Sequence, residues 1–158
     1  MSGISSTESV GTIFLKVINI QILTSSTPFQ QGSNVYSAMH LKFELEDSSE
    51  FMMSAIPIEI ALEISRCLND DEVQDSRLRV WDLVKEISLI EKVEIDSMVP
   101  QTQVYQATIE VSVEGFSSSL RYQMVPSHAT LLAVVSQAPI YISQDLVIQS
   151  QSEPFESL

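Results

Sequence analysis

The sequence predicts an α+β fold with a mainly antiparallel or mixed sheet and three helices, in the order βββααβββαβ. Several segments alternate apolar and polar residues, which is typical of half-buried strands. Two apolar segments follow a proline, Pro57 and Pro126, at the position where proline commonly starts a helix. No regular βαβα alternation and no glycine-rich phosphate loop are present, which argues against a doubly wound nucleotide-binding fold.

The first part of the chain predicts three strands. Residues 11–23 are rich in Ile, Val, Leu and Phe, which is typical of a strand buried on both faces, and a polar loop follows at residues 24–34. Residues 35–46 alternate apolar and polar side chains and indicate a half-exposed strand. After a polar turn at residues 47–50, the short apolar segment 51–55 completes a hairpin.

Two helices are predicted next. The first begins at Pro57 and carries apolar residues at helical spacing, after which residues 69–75 form an acidic loop. The second helix covers residues 78–87. Its predicted apolar face contains Trp81, Val80, Val84 and Ile87.

The second part of the chain predicts three more strands, at residues 91–99, 105–113 and 119–125. Pro126 then starts a helix that is apolar nearly all round, which indicates burial on several sides. Pro139 cannot continue this helix and restricts the residue before it, so the helix should stop near Gln137. A closing strand follows at residues 140–142, with room for a short helix after Ser143.

Length and composition predict one domain at residues 11–147, with a flexible N-terminus at residues 1–10 and a flexible polar tail at residues 148–158. The single Cys67 excludes an intrachain disulfide and fits a reducing compartment. No segment is long and apolar enough to span a bilayer, and the N-terminus lacks the pattern of a signal peptide. We therefore expect a cytoplasmic protein without a membrane partner.

The net charge of −13 bears on the choice of partner. A protein that binds nucleic acid through its surface field needs clustered lysine and arginine. Here the eight basic residues are scattered, and only Arg77 and Arg79 are close in sequence. The charge therefore disfavours a nucleic-acid partner for the monomer.

Between about residues 14 and 147, the chain resembles the bifunctional nuclease (BFN) domain family. Three segments carry the resemblance, in the family's order: Ile56-Pro-Ile-Glu-Ile-Ala61, Val80-Trp-Asp-Leu-Val84, and Val125-Pro-Ser-His-Ala129 with the strand Ala138-Pro-Ile-Tyr-Ile142. The family has similar proline-started helices and a Thr-His-Asp-Leu segment. The chain departs from it at several positions: Val125 stands where the family has Arg, His128 where it has Asp, Trp81 where it has His, and Gln123 where it often has an acid.

The resemblance implies a nuclease that cleaves RNA and DNA with a divalent cation, Mg²⁺ or Mn²⁺. Its catalytic residues would be Glu59, Asp82 and His128, and the metal ligands would be Glu59 and Asp82. Carboxylate oxygens suit these cations, which bring water to the phosphorus. Each residue also has a structural interpretation. Glu59 would cap the start of its helix, and Asp82 would lie on a solvated helix face or form an ion pair with Arg79. His128 would be a histidine at the surface or at an interface.

A second hypothesis is a non-catalytic, oligomeric binding or regulatory module on the same fold. Two observations favour this hypothesis. Several charged residues of the family's pattern are missing from the chain, and the net charge is strongly acidic. Trp81, where the family has His, adds a large apolar body in place of a metal ligand, which suggests packing or subunit contact. Together with the apolar helix after Pro126, it predicts a homo-oligomer, either a dimer or a trimer.

Overall fold

The chain folds into one curled, mixed sheet of seven strands with four helices, an α+β fold. The computed structural model describes residues 11–27, 36–72, 75–102 and 104–152. The strands are β1 (Phe14–Thr27), β2 (Tyr36–Leu45), β3 (Glu50–Ile56), β4 (Leu89–Val99), β5 (Val104–Ser112), β6 (Leu120–Met124) and β7 (Ile140–Ser143). The helices are α1 (Ile58–Leu68), α2 (Val80–Ile87), α3 (Pro126–Ser136) and α4 (Gln144–Ser152).

The predicted order βββααβββαβ is confirmed, and α4 follows it. We predicted a flexible polar tail from residue 148 onward. In the structure, residues 148–152 are instead helical, because α4 continues to Ser152 and is anchored by the buried Leu146 and Val147. Residues 153–158 lie outside the described residues. So does the N-terminal segment 1–10, for which we predicted flexibility.

Two similar halves form the sheet, in the order β3-β2-β1-β7-β4-β5-β6. Each half is a run of three antiparallel strands followed by a helix that begins at a proline: β1 to β3 with α1, and β4 to β6 with α3. The short strand β7 joins the halves, antiparallel to β1 and parallel to β4. The sheet is therefore mixed, with a single parallel pair.

The core lies where α3 packs against α1, α2, β4 and β5. Seven of the eleven α3 residues are buried, which confirms the prediction from its apolar circumference. The sheet contributes alternate side chains to this core, among them Leu41, Phe43 and Leu45 of β2. The sheet is curled enough that Phe51 of β3 contacts Tyr105 of β5, with ring centroids 5.0 Å apart.

The two prolines set the helix starts as predicted. Pro57 is the N-cap of α1, and Pro126 is the first residue of α3. The α3 helix ends at Ser136, and Gln137 adopts the left-handed conformation with φ of 56°. The Ala138 N–H then donates to the Ala133 carbonyl at 2.8 Å, and the Gln137 N–H to the Val134 carbonyl at 3.3 Å. These two bonds define a Schellman motif, which satisfies carbonyls that the helix end would leave free.

One strand prediction is wrong. We expected the first strand to be buried on both faces, but in β1 only Leu15 is buried among the residues whose exposure the structure describes. Ile18 is 64% exposed, and Asn19, Gln21 and Leu23 are exposed as well. An apolar composition does not distinguish a strand that is covered on both faces from a strand that leaves one face exposed to solvent.

Candidate functional site

Glu59 lies in the first turn of α1 and is exposed to solvent. Within the described part of the chain, its carboxylate makes no hydrogen bond and no salt bridge, and α1 has no side-chain cap. Its position still favours a negative charge, because the first N–H groups of a helix create a positive potential there. Glu59 is therefore accessible to a ligand but is not held in place by neighbouring side chains.

Asp82 lies at the third position of α2 and acts as a cap for that helix. Its Oδ2 accepts hydrogen bonds from the Arg79 backbone N–H at 3.1 Å and from Arg79 Nε at 2.9 Å. Burial alone would raise the pKa of Asp82, but the hydrogen bonds and the charge of Arg79 outweigh it, so the pKa lies below 3.8. The ion pair with Arg79, one of our two structural interpretations for Asp82, is confirmed.

Glu63 is the acidic residue that the fold encloses most closely in this region, with 9% of its surface exposed. Arg66 contacts its carboxylate through Nη2 and through Nε at 2.8 Å, and Arg79 Nη1 lies 2.6 Å from Glu63 Oε1. Burial alone would raise the pKa of Glu63, but the hydrogen bond and the charge of Arg66, with those of Arg79, hold it below 4.5. The carboxylate of Glu63 is thus already neutralised by two guanidinium groups.

Arg79 joins these groups into one network across α1 and α2. Its guanidinium bonds Glu63 on one helix and Asp82 on the other, and it lies 5.1 Å from the ring centroid of Trp81. The sequence shows the two local pairs, because Glu63 and Arg66, and Arg79 and Asp82, are each three residues apart. The link between the pairs depends on how the helices pack, so it could not be inferred from spacing.

His128 lies in the first turn of α3 and is exposed. Glu59 and His128 occupy comparable positions in the two halves, each two residues after the proline of its helix. Among the residues that the structure describes, no group of three or more His, Cys, Asp and Glu side chains is arranged to hold a metal ion. The structure therefore places Asp82 in an ion-pair network and leaves Glu59 and His128 at the surface.

Helix α2 presents an apolar stripe to solvent. Residues 80, 83 and 87 share one face at helical spacing. Val80 is 76% exposed, Leu83 50% and Ile87 63%. Leu78 and Leu89, which flank the helix, are similarly exposed, and α2 has no buried residue. The predicted apolar face thus exists, but the protein's own core covers only part of it, chiefly Trp81 and Val84.

Trp81 contacts the core from the neighbouring face of α2. Its ring is partly buried, and its indole N–H has no hydrogen-bond partner in the described part of the chain. The role in packing that the sequence suggested is confirmed. As the only tryptophan of the protein, it reports directly on the surroundings of α2.

No protein-family model matches the sequence, and a search of curated proteins finds no match. None of the helices in the described ranges is long and apolar enough to cross a lipid bilayer.

Proposed function

We propose that this protein is an oligomeric binding or regulatory module, and that it associates as a homodimer through the apolar stripe of α2. The exposed stripe is the observation that carries the proposal. An amphipathic helix normally turns its apolar face towards the core. In α2 the residues Val80, Leu83 and Ile87 instead face solvent, which is typical of a surface that another molecule covers.

The size of this surface suits a reversible contact. Fully burying a valine, leucine or isoleucine side chain is worth about 1.5–3 kcal/mol. Covering the exposed parts of the five apolar residues on and beside α2 in both copies of a dimer therefore yields on the order of 10–18 kcal/mol. Association itself costs about 4–15 kcal/mol. We expect a dimer that dissociates in the micromolar range or above, and not an obligate one.

The charge distribution permits a second copy on this face. Two molecules of net charge −13 repel each other over most of their surfaces. Helical spacing places Asp82, Lys85 and Glu86 away from the stripe formed by Val80, Leu83 and Ile87. A two-fold contact through the stripe therefore brings together uncharged side chains and keeps the acidic residues of α2 at its margin.

The local electrostatics support a binding module over the nuclease that the resemblance implies. A carboxylate that holds Mg²⁺ or Mn²⁺ must offer free oxygen lone pairs to the cation. The carboxylate of Glu63 bonds Arg66 and Arg79, and that of Asp82 bonds Arg79. In this network, arginine occupies one oxygen of each carboxylate, Glu63 Oε1 and Asp82 Oδ2, and its positive charge opposes a cation at the same place.

The variant Leu83→Lys tests the proposal, because it places a charge in the stripe at a residue that is half exposed and lies outside the hydrophobic core. We expect the wild-type protein to dimerise with increasing concentration in sedimentation velocity, and Leu83→Lys to stay monomeric. Leu62→Lys is the matched control, since Leu62 of α1 is 59% exposed and outside α2. A wild-type monomer, or equal loss of the dimer in both variants, would contradict the proposal.

A further inference from the structure

Strand β1 has one edge that is paired only at its start. Residues Val17 to Thr27 pair with β2 along the first edge. Along the second edge, β7 pairs only with Phe14, Leu15 and Lys16. Beyond Lys16, no described strand pairs with this second edge of β1. Backbone N–H and C=O groups that lack a partner strand form a template for another extended chain.

Apart from one bulge, the open edge lacks the features that usually protect such strands. Proteins guard exposed edges with charged residues, prolines or very short strands. The outer strands of this sheet follow that rule, because β3 begins with Glu50, and β6 has five residues that include Arg121. Residues 17–27 contain no charged residue, no proline and no glycine. A bulge interrupts the pairing with β2 between Val17 and Asn19, after which the register is regular to Thr27.

A cleft of about 440 Å³ lies along the beginning of this edge. Residues 17–20 of β1 form one side, and the ends of α1 and α3 form the other. The antiparallel register pairs Lys16 with Tyr141, so a longer β7 would continue opposite β1 into the space of this cleft. The chain turns away at Pro139 instead. The cleft therefore occupies the place of a missing strand, beside apolar walls that include Leu68 and Val134.

The charges around the cleft select a basic occupant. The C-terminal ends of α1 and α3 both border it, and a helix C-terminus carries a partial negative charge. Asp70 adds a carboxylate, and the described residues that line the cleft include neither lysine nor arginine. The net charge of −13 acts in the same direction at longer range.

We propose that this cleft binds an extended peptide that carries both apolar and basic residues on the same face, and that the peptide adds to the sheet as a strand beside β1. Backbone hydrogen bonds to β1 provide affinity, as in other cases of strand addition. Apolar side chains of the peptide contact Leu68 and Val134, and its basic side chains lie near Asp70 and the helix ends. The site is separate from the α2 stripe and does not depend on dimerisation.

The probe is a synthetic, acetylated and amidated peptide of seven residues in which pairs of valine and pairs of lysine alternate, so that each face of the strand carries both. We expect it to bind the full chain in titration calorimetry, and to shift the backbone amide resonances of residues 17–20 and 137–140. Two further versions carry N-methyl groups on alternate backbone nitrogens, one on the odd and one on the even positions. Because only one edge of the peptide pairs with β1, one version should lose binding and the other should keep it. Equal binding of both would show mere charge attraction and overturn the proposal.

Two variant pairs separate the contributions of the strand edge and the charge. Ile18→Lys should weaken binding at least about tenfold, because a cation on the edge opposes a basic strand. Its control is Ile13→Lys, since Ile13 is 59% exposed and precedes β1. Asp70→Asn should weaken binding about tenfold, whereas Asp71→Asn, next to it but outside the cleft, should not. Asparagine also tolerates the positive φ of 53° at residue 70.

Three further results would overturn this proposal. The first is the absence of peptide binding at millimolar concentration. The second is amide shifts confined to α2. The third is a protein dimer that Ile18→Lys dissociates and whose residues 18–25 are protected from hydrogen exchange, because a second copy would then occupy the edge. The monomeric Leu83→Lys should still bind the peptide, which distinguishes this site from the dimer contact.

Discussion

Arg79 Nη1 lies 2.6 Å from Glu63 Oε1, and this contact ties the start of α2 to α1. The Glu63 side chain is only 11% exposed, so the pair is largely shielded from water. The same guanidinium bonds Asp82, which caps α2. The stripe that we propose as a dimer contact is thus carried on a short helix that Arg79 ties to α1.

Replacing Arg79 by methionine should destabilise the protein. The substitution removes one of two cations from a buried carboxylate and the side-chain bond to Asp82, so we expect a loss of about 2–4 kcal/mol in the free energy of unfolding. Arg77→Met is the control, because Arg77 pairs with Asp75 at the surface, where it is 87% exposed. Urea unfolding measures both. Equal stability of the two variants would show that the network contributes little.

The contribution of this network should depend on pH. The folded-state pKa values of Glu63 and Asp82 lie below their ordinary values of 4.5 and 3.8. Groups with lowered pKa values stabilise the fold fully above the ordinary values, and this contribution is lost as the pH falls through the folded-state values. The stability difference between the wild type and Arg79→Met should therefore be constant between pH 6 and 8, and should shrink below about pH 4. A difference that grows on acidification would contradict this assignment.

Gln137→Gly should stabilise the protein. Gln137 has φ of 56° at the end of α3, a conformation that glycine adopts without the steric cost of a side chain. We expect a gain of about 1 kcal/mol in the free energy of unfolding. Ser136→Gly, one residue earlier and inside the helix, should instead destabilise by about 0.5–1 kcal/mol. A destabilised Gln137→Gly would show that the glutamine side chain has a role of its own in the cleft.

The nuclease hypothesis has a direct test. Incubation of the pure protein with single-stranded RNA or DNA and Mg²⁺ or Mn²⁺ should leave the nucleic acid intact, because Arg79 engages Asp82 and the charge is −13. EDTA-sensitive cleavage that disappears in Glu59→Gln, Asp82→Asn or His128→Gln would reverse this expectation. It would establish the activity that the family resemblance implies.

Local sequence patterns predicted the parts of the fold that depend on local chemistry. Pro57, Pro126 and Pro139 mark helix boundaries because proline fixes its own backbone angle and lacks an N–H. The candidate site depends on longer-range contacts. The link from Arg79 to Glu63 requires the start of α2 to approach α1, and the exposure of Val80, Leu83 and Ile87 depends on which face of α2 meets α3.

The open edge of β1 could not be predicted for a similar reason. It exists because β7 is four residues long and stops opposite Lys16, whereas β1 continues to Thr27. An apolar strand gives the same sequence pattern whether its neighbour is long or short. The uncharged segment at residues 17–27 was nevertheless visible in the sequence, and it acquires meaning once the pairing is known.

Sedimentation equilibrium of the wild-type protein at low and high salt tests the central proposal most directly. A contact between apolar faces of two acidic molecules should strengthen as salt screens their repulsion. We expect the average mass to rise with concentration from 17.6 kDa towards twice that value, and to rise earlier at high salt. A mass that stays at 17.6 kDa up to about 1 mM protein, or a dimer that salt dissociates, would contradict association through α2.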